Sequence, residues 1–360
     1  MATTSQSSID PEKLQAFMGK AVGDIGAGMS AALVLIGDRL GLYKAMAAAG
    51  PLTPAELAVK TSTHERYVRE WLNNQAAGGY VHYDPATQKY DLPPEQAFAL
   101  ADESSPAFVG GAFQIIAAVM KAVPRMEENF RTGKGLDWCD HHHDLFLGTE
   151  RFFRPNYAGN LVASWIPSLD GVEQKLKVGA NAADIGCGLG ASTILMAQAF
   201  PNSRFWGFDF HAKSIEIARQ RAQAAGVADR VIFQVAKSTD YPKANGKPFD
   251  FVAHFDCLHD MGDPTGAARH VHDTLAPDGT WMIVEPFAGD APEENLNPVG
   301  RVYYAASTMI CVPASIAHDG PALGAQAGEA TLKKVVTDGG FTRFRRATQT
   351  PFNLVLEARP

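Results

Sequence analysis

Residues 183–192 read ADIGCGLGAS. An apolar strand end passes through three alternating glycines and enters a run of small residues suited to a helix start. Gly186, Gly188 and Gly190 would line a tight turn that lets backbone approach a ligand closely. The spacing is GxGxG, not the GxGxxG of dinucleotide sites, and Asp184 stands two residues before the first glycine. Asp209 closes the next apolar run, RFWGFD, nineteen residues beyond Gly190. A carboxylate there is placed to take both hydroxyls of a ribose.

The same alternation extends along the second half of the chain. Beyond Gly171 come AADIG, a helix through ILMAQAF, RFWGFDF, a helix through SIEIARQRAQAAG, and VIFQVA. FDFVAHFD, a helix through AARHVHDTL, TWMIVEP, a long insertion and a closing helix then lead to the pair FTRFRRA and FNLVLEA. This order predicts an α/β parallel sheet with an antiparallel ending.

The N-terminal part reads differently. Apolar residues recur at helical spacing from Pro11 to about Ala49 and stop at Gly50-Pro51. Thr53 before Pro54 and Glu56 predicts an N-cap, and Tyr67, Val68, Trp71 and Leu72 are expected on one helical face. YVHYDPATQKYDL alternates around an Asp-Pro turn and predicts a hairpin. Helix, turn, helix and hairpin make a winged-helix pattern. Residues 1–103 are expected as this domain, 104–170 as a helical bridge or substrate lid, and 171–360 as the α/β domain.

Composition narrows the function. The 360 residues carry a formal net charge of −7, without the basic excess that phosphate-backbone binding requires. Glu65 and Glu70 also balance Arg66 and Arg69 on the second helix of the winged-helix pattern. Nucleic acid is disfavoured as partner and no membrane is expected, since the runs ALVLIG and FQIIAAVM are shorter than a span. The four cysteines form no CxxC pair, which fits a cytoplasmic protein with reduced thiols. Residues 14–49 hold more apolar side chains than one winged helix covers, so a homodimer is expected.

Asp184-x-Gly-x-Gly-x-Gly, Asp209, FDCLHD and VEP together resemble class I S-adenosylmethionine-dependent methyltransferases. FFRPNYAGNL and IVEPFAGDAPEENLNPVGRVYYAAS resemble the actinobacterial-type stand-alone members with an N-terminal winged helix. The resemblance implies a seven-stranded Rossmann-like sheet and S-adenosylmethionine as cofactor. It implies that Asp184, Gly186, Gly188 and Gly190 hold the methionine end and Asp209 the ribose, with Phe210, Phe255 and Asp256 around the adenosine. Where relatives carry an acid for the adenine, this chain reads Ala236-Lys237-Ser238, so that contact passes to backbone or Ser238.

HFDCLHDMGDP, residues 254–264, carries the candidate chemistry. A hydroxyl acceptor must lose its proton, and a histidine suits that task. His259 is the candidate base and Glu285, in IVEP, the group that fixes its tautomer. Similarity to plant-type small-molecule O-methyltransferases adds Glu329 as a further acid, while Met261 replaces their usual Trp. Arg154, Asn156, Arg301, Tyr303 and Tyr304 are the candidate substrate contacts.

Alternatives stay open at this level. A metal reading joins His259 and Asp260 with His318, a set suited to iron, but no metal is assigned; oxygen, nitrogen, sulfur and carbon all remain possible acceptors. A cofactor-sensing winged-helix regulator is the rival function. Three adjacent imidazoles in DHHHD, residues 140–144, are expected to point apart on a solvated loop.

Overall fold

The computed structural model describes residues 9–360, which divide into two compact units, one up to Ala117 and one from Ala118 to Pro360. The division falls inside the helix Gly110–Thr132. Residues 104–117 therefore group with the first unit and 118–170 with the second.

In the first unit, Asp10 caps the helix Pro11–Arg39, and Gly41, in the left-handed region, starts Leu42–Ala49. Thr53 N-caps Pro54–Thr61 as expected, and with Glu56 it forms a reciprocal capping box. Glu65–Ala77 follows, then strands β1 (His82–Asp84) and β2 (Lys89–Asp91), paired antiparallel. Val34, Leu42, Met46, Leu57, Val68, Trp71 and Leu72 share one core. Trp71 Nε1 donates to the Leu33 carbonyl at 2.8 Å, and Tyr43 Oη to Gln75 at 2.6 Å. Tyr67 departs from the expected face and is 78% exposed.

The helix Pro11–Arg39 also exceeds expectation. Its 29 residues are long and apolar enough to cross a membrane by length and composition, although single runs within it are short. Leu14, Met18, Val22, Ile25 and Met29 recur at three- and four-residue steps and are each about half exposed or more.

The second unit holds strands β3 (Asn181–Ile185), β4 (Arg204–Asp209), β5 (Val231–Val235), β6 (Phe249–Phe255), β7 (Leu275–Pro286), β8 (Arg343–Gln349) and β9 (Asn353–Arg359). They form one sheet in the order β5-β4-β3-β6-β7-β9-β8. The first five run parallel, and β9 pairs antiparallel with both β7 and β8. Side chains alternate between faces with period two. Ala182, Phe205, Phe251 and Met282 enter one core with Leu161, Trp165, Met196 and Ile215. Their successors Ala183, Trp206, Val252 and Ile283 enter the other, with Val271, Leu332 and Val336.

Helices thus cover both faces, which parallel strands buried on two sides require. Strand order reverses between β3 and β6, and the crevice outside the carboxyl ends of the strands at such a point is where ligands bind.

Candidate active site

That crevice is a cleft of about 590 Å³, within the roughly 300–1,000 Å³ usual for ligand pockets. Its floor is the loop after β3. Gly186, Gly188 and Gly190 have φ of 74°, 51° and 82°, a region that side-chain-bearing residues avoid. A Cβ on Gly186 would come within 2.8 Å of Cys257 Sγ, and one on Gly190 within 2.7 Å of the Phe233 ring.

Two carboxylates hold this loop. Asp184 is fully buried, and its Oδ2 accepts from Ser192 Oγ and Thr193 Oγ1, both at 2.6 Å. Its Oδ1 has no partner, and burial pushes the group up to about 6. Asp184 lies off the cleft wall, where it ties the strand to the following helix. Asp209 is on the wall. Its two oxygens accept from Gly188 N (2.9 Å) and His211 N (2.8 Å), which leaves each a further lone pair for a hydroxyl.

Of the remaining expected cofactor residues, Gly186, Gly188, Phe210, Ser238, Phe255 and Asp256 line the cleft, and Gly190 stands behind the loop. Asp256 ends β6 with φ 51°. It accepts from Tyr157 Oη and Asn353 Nδ2, both at 2.9 Å. Burial first, and then the Glu285 charge, push it up to about 8.

His259 is placed differently from the expectation. Its ring is 3% exposed and does not line the cleft, whereas its neighbour Asp260 does. Glu285 accepts from Leu258 N at 2.8 Å and engages His259 Nδ1. Burial alone would depress the imidazole, but Glu285 and then Cys311 raise it well above its usual value. Burial pushes Asp260 up to about 7, against the opposing pull of His259.

Several expected groups are not brought to this site. Glu329 pairs with Arg346, whose Nε is 2.6 Å away, and is off the cleft wall. Among the expected substrate contacts, Arg154 pairs with Glu150 (3.1 Å), Asn156 donates to Asn353 (2.7 Å), and Tyr303 donates to the Phe352 carbonyl (2.9 Å). Arg301 and Tyr304 are exposed, and none of the five lines the cleft. His318 does line it, but its Nε2 meets Asp137 at 2.7 Å instead of joining His259 and Asp260. The adjacent imidazoles converge more than the sequence suggested, with ligand atoms of His142, His143 and Asp144 within 4.8 Å of one another. Lys121 Nζ shares that space, 3.0 Å from His142 Nε2 and 3.4 Å from Asp144.

The helix Asp144–Asn160 supplies wall residues that were missed. Phe146, Glu150, Phe153 and Tyr157 follow at steps of four, three and four, so one stripe faces the cleft. That spacing was readable. Phe146 stacks on His211 at 4.6 Å, and Phe153 on Tyr157 at 5.9 Å.

Comparison with known proteins identifies both domains. Residues 28–102 match the Rv2258c-like winged HTH domain, and residues 176–328 match the methyltransferase domain. The chain thus joins a winged HTH domain to a methyltransferase domain. Among solved structures, the chain is similar in fold to a mitomycin 7-O-methyltransferase, with TM-score 0.69 and 20% identity over 97% of this chain and 100% of that one. Human N-acetylserotonin methyltransferase, solved in complex with SAM, gives 0.67 and 15% over 99% of each chain.

Curated relatives align over less of their length. A 27-O-demethylrifamycin SV methyltransferase from Amycolatopsis mediterranei is 33% identical over 132 residues, covering 35% of this chain and 48% of that protein. An uncharacterized protein from Synechococcus is 34% identical over 100 residues, 28% of this chain and 24% of that protein. The chain thus spans about half or less of the length of these two relatives.

Proposed function

We propose that this chain transfers a methyl group from S-adenosylmethionine to a small molecule, with a hydroxyl as the favoured acceptor. The single observation carrying this reading is the wall where the positive-φ glycine loop meets Asp209, whose oxygens each keep a lone pair. The unpartnered Asp184 Oδ1 beneath the loop adds buried negative charge, which suits a cationic ligand.

The residues fit the cofactor as follows. Asp209 would receive the ribose hydroxyls, the amides of the glycine loop the methionine end, and Phe210, Ser238 and Phe255 the adenosine. Bound there, S-adenosylmethionine supplies an electrophilic methyl on a sulfonium. The stripe Phe146, Phe153 and Tyr157 excludes water and aligns the acceptor, and alignment supplies much of the rate of a displacement.

A hydroxyl acceptor also needs a proton acceptor. Asp256 and Asp260 stand on the wall and are pushed up to about 8 and about 7, values suited to proton exchange near neutral pH. We assign proton uptake to this pair. His259 and Glu285, buried beside it, act as positioning residues that hold the turn Leu258–Asp260. The chain acts in the cytoplasm, consistent with its four free cysteines.

A DNA-binding regulator is the weaker reading. In the helix Glu65–Ala77, Arg66 pairs with Glu70 and Arg69 with Glu65, both at 2.6 Å, so little net positive charge remains for a phosphate backbone. Calorimetry with S-adenosylmethionine and a mobility shift with mixed duplex DNA separate the two. Saturable cofactor binding without a DNA shift supports the enzyme; a DNA shift that depends on the cofactor supports the regulator.

A further inference from the structure

Six carboxylic acids line the cleft: Glu150, Asp209, Asp256, Asp260, Asp263 and Asp319. Lys237 is the one lysine or arginine among the lining residues. Some of the acids have evident structural work. Glu150 meets Arg154 at 3.1 Å and Arg221 at 2.9 Å, Asp263 caps the helix Pro264–Thr274, and Asp209 accepts two backbone amides. Asp256, Asp260 and Asp319 remain; Asp319 is exposed, whereas Asp256 and Asp260 are half-buried on the wall and neither is in an ion pair with lysine or arginine.

Asp256 takes a left-handed backbone, φ 51°, which a non-glycine residue adopts only when its surroundings enforce it. Tyr157 on the helix Asp144–Asn160 and Asn353 on β9 each donate one hydrogen bond to its carboxyl and so fix the side chain on the wall. The charged and titratable groups facing it are Glu285 at the end of β7, His259 in the turn, Tyr157 and Tyr303. Those facing Asp260 are His259, Glu285, Asp209 at the end of β4, Cys257 and Cys311. The single cation in this set is His259, already paired with Glu285. The wall therefore presents two acids with no lysine or arginine partner, and the one cation near them, His259, is shared with Glu285 and offsets their charge only in part.

We propose that Asp256 and Asp260 form a charge selector, holding the sulfonium cofactor as carboxylates and releasing its neutral thioether product more readily. This rests on the cofactor reading above. S-adenosylmethionine and S-adenosylhomocysteine share their nucleoside and amino acid and differ by one methyl and one positive charge. A cation at the sulfur favours the carboxylate, so a proton leaves each acid for solvent as the cofactor enters; once the methyl has gone, the neutral thioether no longer offsets that charge.

Burial pushes Asp256 up to about 8 and Asp260 to about 7, so in the empty cleft both are largely protonated at about pH 6 and largely ionised by about pH 8.5. The preference for the sulfonium over the thioether should grow across that window. Calorimetry of the full chain with each ligand, at about pH 6 and about pH 8.5 and in two buffers of different ionisation enthalpy, reads it directly. The affinity ratio should rise by about tenfold, with more protons released by the sulfonium than by the thioether.

Asp256→Asn and Asp260→Asn should each reduce the rise. The amine of each ligand titrates identically against wild type and variant, so their difference is the readout. Should Asp256→Asn fail to fold once its bonds to Tyr157 and Asn353 are disturbed, Asp260→Asn still carries the test. A wild-type ratio that does not change with pH, or an undiminished rise in the folded variants, overturns the selector while leaving the cofactor site intact. Failure of both ligands to bind at either pH would overturn the cofactor reading, and the selector with it.

Discussion

At the scale of single residues, the pair His259 and Glu285 shows how burial changes the meaning of a motif. The letters LHD and VEP suggested a base and its orienting acid, and the structure does bring the two side chains together. It also buries the ring off the cleft wall and leaves Asp256 and Asp260 on it. A histidine in that position is expected to matter for stability first. His259→Ala would leave Glu285 buried without its partner, and breaking a buried pair costs roughly 3–5 kcal/mol. Urea unfolding should show a loss of that order, with much of it recovered in the double variant with Glu285→Gln. A loss below about 1 kcal/mol, together with a turnover reduced by orders of magnitude, would return His259 to the role of base.

At the scale of elements, the strands were legible because their period is short and their ends are marked. The runs AADIG, RFWGFD and FDFVAHF are buried on both faces and stop at glycine or aspartate. The N-cap at Thr53 was equally plain. Tyr67 was misassigned because it adjoins Val68 at the edge of the helical stripe, and neighbours one residue apart point in different directions. Side chains lining the cleft from Asp144–Asn160 were overlooked because their spacing is only meaningful once it is known that this helix borders the site.

The helix Pro11–Arg39 leads to a prediction of its own, since Leu14, Met18, Val22, Ile25 and Met29 form an exposed apolar stripe. We propose that a second copy of the chain covers it, because uncovered stripes of this kind usually mark interfaces. Sedimentation should show a dimer at micromolar concentration, and Ile25→Glu with Met29→Glu should shift it to a monomer. A wild-type monomer that binds lipid vesicles would contradict this and favour a membrane for the stripe.

At the scale of the whole molecule, the parallel core, antiparallel ending and winged helix could all be read from residue patterns, since each is a matter of local period and turn chemistry. The substrate wall could not. Arg154, Asn156, Arg301, Tyr303 and Tyr304 were chosen for chemistry and for lying in the bridge and the 286–330 insertion, yet the cleft is tied together by other pairs far apart in the chain, such as Tyr157 with Asp256 and Asp256 with Asn353. Such pairings depend on how the helices settle on the sheet, which periodicity does not encode. The central claim is methyl transfer from a cofactor held at Asp209 to a small molecule. Its most direct test is incubation of the full chain with methyl-labelled S-adenosylmethionine and a small-metabolite pool, beside the Asp209→Ala variant. Loss of a charged hydrogen bond costs about 1.5–3 kcal/mol, so the variant should bind cofactor at least about tenfold more weakly. The account predicts label in a small-molecule product with wild type, and much less with Asp209→Ala at limiting cofactor. Cofactor affinity equal in the two proteins, or saturable cofactor binding with no label transferred to any small molecule, would contradict it.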